Sequence, residues 1–130
     1  MLPNILIVNY SAAIRKSLGR LLKQGETPLG RIYEAGDGCE ALDVLRSNCV
    51  DLVLSDINIP KMDGVQLLSR IKAEGLWPRA RVVMTTAEGN QSRVMEAVSL
   101  GAAGYIRKPF TADQIQEKVL SLFQPAADAA

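Results

Sequence analysis

The sequence has no excess of either charge, no long apolar run and no cysteine motif, and each absence removes a class of function. Fifteen basic against fourteen acidic side chains leave a net charge of +1. That argues against the global basic footprint of a direct nucleic-acid binder. No apolar stretch approaches the roughly 18 residues of a membrane span. The N-terminus lacks the basic start and small-residue cleavage site of a signal peptide, so neither membrane insertion nor export is expected. Cys39 and Cys49 are ten apart without C-x-x-C spacing. Flanking the two ends of a predicted helix, they would stand about 15 Å apart, too far for a disulfide. They read as reduced thiols of a cytoplasmic protein.

What is present is an ordinary globular composition, 48% hydrophobic and 22% charged over 130 residues. This suffices for one domain with a real core and is too short for two. There is no internal repeat and no linker before Gln124, so residues 1–124 are expected to form the domain and residues 125–130 a frayed tail.

Strand and helix signals alternate along the chain. Ile5-Leu-Ile-Val8 is a short apolar run without helical period, hence a buried strand. Ser11 can cap a helix with apolar face Ile14, Leu18, Leu21 and Leu22, broken by Gly25 to Pro28. Arg31 to Ala35 predicts a second strand, polar enough for a sheet edge. Asp37 with Glu40 resembles a capping box for the helix of Ala41, Leu42 and Leu45. Leu52-Val53-Leu54 leads into Asp56, and a helix with Val65, Leu68 and Ile71 starts at Gly64. Trp77-Pro78 marks a turn before a fourth strand over Ala80 to Thr85. Asn90 caps the next helix, with Val94, Ala97 and Val98, which stops at Gly101. Ala103 to Ile106 is a short fifth strand. Thr111 with Gln114 caps a last helix bearing Ile115, Val119, Leu122 and Phe123.

Five β-α units in strict alternation require right-handed crossovers. The predicted fold is therefore α/β: a five-stranded parallel sheet in flavodoxin-like order 2-1-3-4-5, with five helices on both faces. Ligands bind such sheets at the carboxyl ends of the strands, near the switch point between strands 1 and 3. Asp56 ends strand 3 there, and Thr86 and Lys108 follow later strands at the same edge. Taken singly each has a plainer reading: Asp56 as a turn or cap residue, Thr86 as a strand-end turn residue, Lys108 as a surface charge, Tyr105 as half-buried packing. The shared edge makes them one candidate site.

Ile5 to Val8, Ser55-Asp56-Ile-Asn58-Ile-Pro60-Lys-Met-Asp-Gly64, Met84-Thr-Thr-Ala-Glu88 and Gly101-Ala-Ala-Gly-Tyr-Ile-Arg-Lys-Pro-Phe110 together resemble the bacterial response-regulator receiver domain of two-component pathways. The single-domain chemotaxis type is the nearest in look, and the resemblance runs from about residue 3 to residue 123. It implies that Asp56 accepts a phosphoryl group from a histidine kinase or phosphotransfer protein. Thr86 would donate its hydroxyl to a phosphoryl oxygen, and Lys108 would set its ammonium against another. The Asn58 backbone carbonyl, with Asp56, would ligate a metal. Thr86 and Tyr105 would form the switch. A downstream protein would dock on the face carrying Arg93, Met95, Tyr105 and Lys118. A carboxylate nucleophile forming an acyl phosphate is sound chemistry, and the transfer needs positioned positive charge more than proton-transfer machinery.

The departure from the family pattern is at Asn9-Tyr10, where two adjacent acids normally hold Mg²⁺. A hard cation wants carboxylate oxygens; Asn9 offers one neutral carbonyl and Tyr10 a phenol. Mg²⁺ binding is expected to be weak or absent; Glu88 or Asp63 could lean in as a replacement, but neither is expected to. Two readings follow: a phosphorylated receiver, or a degenerate receiver that binds its partner independently of phosphorylation. An enzyme is not expected. An Asp-x-Asp hydrolase needs an acid at position 58, where Asn58 stands. A flavodoxin needs a hydroxyl- and glycine-rich loop after the first strand, which Asn9 to Ile14 is not.

Overall fold

The computed structural model describes residues 2–25, 27–76, 80–86, 91–108 and 111–123. In chain order they form β1 (Ile5–Val8), α1 (Ala12–Gln24), β2 (Ile32–Ala35), α2 (Gly38–Ser47), β3 (Leu52–Asp56), α3 (Gly64–Ala73), β4 (Arg81–Thr86), α4 (Gln91–Ser99), β5 (Gly104–Arg107) and α5 (Ala112–Phe123). The sheet is parallel throughout and ordered β2-β1-β3-β4-β5, as the alternation predicts. β2 is an edge strand, as its polarity suggested. β4 and β5 each begin and end one residue later than expected.

Alternate residues of the strands feed two cores. Leu6, Val8, Val53, Val82 and Met84 face α2, α3 and α4, packing with Leu42, Leu68, Ile71 and Val94. Ile5, Ile7, Leu52, Leu54, Val83 and Ile106 face α1 and α5, packing with Leu18, Leu22, Ile115 and Val119. Because both faces are covered, β1 and β3 are buried at every position. Burying one such Leu or Ile is worth about 1.5–3 kcal/mol, so this two-sided core holds the strand ends in place.

Helix starts follow the expected chemistry with two differences. Ser11 caps α1 by accepting the Ile14 N–H, and Thr111 and Gln114 form a reciprocal box at α5. Asp37 accepts the Glu40 N–H but supplies only this half of the expected box. A full capping box occurs instead at Asp63–Gln66, at the head of α3. Cys39 lies within α2 rather than before it, and both cysteines are free and exposed. Asn90, the Trp77-Pro78 turn, Glu88 and the tail from residue 124 lie outside the described residues.

At the amino edge of the sheet Asn4 joins three segments. Its N–H donates to Asp51 Oδ2 at 2.8 Å, its Nδ2 to the Cys49 carbonyl at 2.9 Å, and its Oδ1 accepts the Arg31 N–H at 2.8 Å. Gly30 fits closely here, since a Cβ on it would lie 2.2 Å from Asn4 Oδ1.

Candidate functional site

Strand register decides which side chains meet at the carboxyl edge. Val8 pairs with Ser55, so Asn9 follows beside Asp56; Asp56 pairs with Thr85, and Thr86 with Arg107, so Lys108 comes next. Lys108 is held there by its own N–H, which donates to the Thr86 carbonyl at 2.7 Å. The edge therefore gathers residues 9, 56, 86 and 108 from four strands.

Asp56 is buried at 4% exposure, and protein donors surround its carboxylate. Lys108 Nζ lies 2.6 Å from Oδ2. Asn9 Nδ2 donates to the same oxygen at 3.3 Å, and the Asn58 backbone N–H to Oδ1 at 3.2 Å. A buried carboxylate is tolerated only when its charge is met in this way. The Lys108 side chain is 28% exposed against 5% for Asp56, so the pocket opens to solvent on the lysine side. Thr86 is buried beside it at the end of β4.

The loop from β3 to α3 is pinned at several points. The Gly64 N–H donates to the Ile57 carbonyl at 2.7 Å, and a Cβ on Gly64 would lie 3.0 Å from the Asp56 carbonyl oxygen. Lys61 takes a left-handed conformation, φ 73°, uncommon for a side chain of its size. Its Nζ reaches Asp37 Oδ2 at 3.5 Å. The Glu40 N–H, with Lys61 beside it, holds the Asp37 carboxyl below the usual carboxylate range. Met62 packs where a Cβ on Gly38 would stand, which ties the loop to the head of α2.

Asp63 is committed to the α3 cap and to an ion pair with Arg93 of α4. It is not expected to replace the missing acid, and its partners give the reason: a carboxylate that satisfies a helix N-terminus and a guanidinium is not free to turn toward Asp56. Arg93 also pairs with Glu96 at 2.8 Å. It lies along a groove with Lys61, Met62 and Arg70, whereas Tyr105 and Lys118 line another along β5 and α5. Tyr105 and Met95 are exposed, as is Tyr10 at 68%.

The family pattern implies Mg²⁺, and the donor set does not fit it. Among the described residues no three His, Cys, Asp or Glu side chains come together as a metal group. Beside Asp56 the carboxylate expected at position 9 is an amide, and it presents its nitrogen. The orientation is fixed by chemistry: Asn9 Oδ1 accepts the Ser11 N–H at 2.9 Å, so the NH₂ must face Asp56. Sequence reasoning missed this, and it also missed Arg15, whose Nη1 donates to the Asn9 carbonyl at 2.6 Å while its Nε pairs with Glu34 at 3.0 Å. Lys16, and then Arg15, hold the Glu34 carboxyl below its ordinary range. The available signal was position alone, since Arg15 lies one helical turn after the cap Ser11.

Comparison with known proteins identifies the family and the fold. Residues 5–120 match the family described as "Response regulator receiver domain". The chain is 37% identical over 120 residues to "Chemotaxis protein CheY-3" of Vibrio cholerae, covering 92% of this chain and 91% of that protein. It is 35% identical to "Chemotaxis protein CheY" of Pseudomonas aeruginosa, covering 92% and 95%. Among solved structures, a receiver domain protein (CheY-like) from Methanospirillum hungatei superposes with a TM-score of 0.84 at 27% identity, over 100% of both chains.

Proposed function

The chain belongs to the response regulator receiver family of two-component signalling, and on that premise we propose that Asp56 accepts a phosphoryl group from a histidine kinase or phosphotransfer protein. The observation that carries this reading is the 2.6 Å contact between Lys108 Nζ and Asp56 Oδ2 at the carboxyl edge. In the transfer, the N–P bond of a phosphohistidine breaks, a P–O bond to the Asp56 carboxylate forms, and the imidazole leaves with the bonding electrons. The transferred group is anionic, so fixed donors matter more than a general base. Lys108 supplies an ammonium on the open side of the pocket, and Thr86 a hydroxyl at the neighbouring strand end. No step is assigned to a metal, since the donors among the described residues do not fit one.

Downstream, the face with Tyr105, Met95 and Lys118 offers an exposed aromatic, a soft thioether and a cation, a mixture suited to protein recognition. Thr86 engaging a phosphoryl oxygen would alter the packing available to Tyr105, which pairs with Met84 on the adjacent strand. Arg93 contributes to this face only by giving up its bonds to Asp63 and Glu96.

A second reading is favoured by one observation: position 9 is an amide and position 10 an exposed tyrosine. In it the chain is a degenerate receiver that binds its partner without phosphorylation. Intact mass after incubation with acetyl phosphate or phosphoramidate separates the two. A single phosphoryl adduct on the wild type that vanishes in Asp56→Asn supports the first reading. Its absence under every donor, together with partner binding by Asp56→Asn as tight as by wild type, establishes the second.

A further inference from the structure

Asn9 is 1% exposed, and every polar atom of it has a partner. Its N–H donates to the Ala35 carbonyl at 3.1 Å, its carbonyl accepts from Arg15 at 2.6 Å, its Oδ1 accepts from Ser11, and its Nδ2 donates to Asp56. A residue bonded at both backbone and side chain has no alternative rotamer that keeps those bonds. The amide nitrogen is therefore a fixed positive end aimed at the acceptor carboxylate.

Two acids at positions 9 and 10 would add negative charge beside Asp56, and only a bound cation would offset it. The amide inverts that electrostatic arrangement. With Lys108 and the Asn58 N–H it completes three donors on one carboxylate, and among the described residues no three His, Cys, Asp or Glu side chains gather as a metal group. We propose that Asn9 is a positioning residue whose amide stands in for the metal ion, so that the Asp56 site is balanced, and accepts its phosphoryl group, independently of divalent cations. The second half rests on Asp56 being the phosphoacceptor; the first half does not. Ser11 and Arg15 serve Asn9, one by fixing the amide's orientation and the other by anchoring its carbonyl.

The test uses the whole chain, in Mg²⁺ and in EDTA, with thermal melting and phosphoryl uptake from acetyl phosphate as separate readouts. Wild-type Tm should be unchanged by Mg²⁺, and uptake should differ less than about twofold between the conditions. Asn9→Asp, nearly isosteric, turns a donor into a like charge. In EDTA its Tm should fall by about 5 °C or more, and Mg²⁺ should recover it. Its uptake in EDTA should fall at least about tenfold and also recover. Asn9→Ala, which removes the donor without adding charge, should lower Tm equally in both conditions, a response that separates charge balance from mere packing. In an Asp56→Asn background the Asn9→Asp penalty should vanish. A wild-type Tm or uptake that depends on Mg²⁺ overturns the proposal, as does an Asn9→Asp variant as stable as wild type in EDTA. If no variant takes up phosphate, the phosphoacceptor reading fails, and the melting series still decides the role of Asn9.

Discussion

Removing the ammonium from Lys108 should expose how much the fold depends on neutralising Asp56. Breaking a buried pair by deleting one partner costs roughly 3–5 kcal/mol, because it strands the other charge. Here the figure is discounted twice. The Lys108 side chain is 28% exposed, so water already screens the pair, and Asp56 keeps its bonds from Asn9 and Asn58. About 2 kcal/mol should remain for Lys108→Met, which keeps the aliphatic stem. For a domain of this size that is a fall in Tm of roughly 6–10 °C. Asp56→Asn alone should cost less than about 1 kcal/mol, since the released ammonium can extend into water. The double variant should lie near Asp56→Asn, giving a coupling energy of about 1.5–2 kcal/mol in a double-mutant cycle. Urea melts of the four proteins measure this directly. Additivity within about 0.5 kcal/mol would refute the argument, because it would mean that Asp56 is solvated without its lysine.

Restoring both acids, Asn9→Asp with Tyr10→Asp, should strengthen Mg²⁺ binding about tenfold or more over wild type, as read by calorimetric titration. Equal affinities would mean that another residue already supplies the missing charge. Glu74 is held down to about 2, first by its hydrogen bond from Arg46. Its folded value lies below the ordinary one, so its contribution is complete above the ordinary value of 4.5 and is lost as pH falls toward 2. Glu74→Gln should flatten the Tm profile across that acid window, and an unchanged slope would count against the assignment. Gly64→Ala should destabilise by about 1–3 kcal/mol in urea melts, because a Cβ there would lie 2.9 Å from Met84 Sδ and 3.0 Å from both the Asp56 carbonyl and Ile57 Cα. A loss under about 0.5 kcal/mol would show that the β3–α3 loop yields easily.

The strand order was legible because five strand signals alternate with helical faces, and few topologies accept that pattern. The meeting of Asp56 and Lys108 was legible for the same reason: strand ends at one edge converge whatever the details between them. Element boundaries at β4 and β5 were less so, because ladder register rather than local propensity sets where pairing stops. Three features depend on side-chain and backbone geometry, which periodicity does not report. Arg93 turns to Asp63 across 30 residues. The Asn9 amide takes its direction from a backbone N–H two residues on. The left-handed turn of the acceptor loop falls on Lys61, although a glycine stands at position 64. The Asp37 box formed by only one half because the motif specifies a cap more strongly than it specifies the returning side chain.

The hydrogen bonds of Asn4 give the molecule a handle. They lash the entry to β1, the entry to β2 and the turn before β3 into one web at the amino edge. The acceptor stands at the other end of β3, four residues beyond Leu52, which is about 13 Å away. A surface, fluorophore or fusion partner joined through Leu2, itself 54% exposed, attaches to this inert end. Immobilised that way, every copy presents its Asp56 pocket outward, with the braced sheet between the tether and the chemistry.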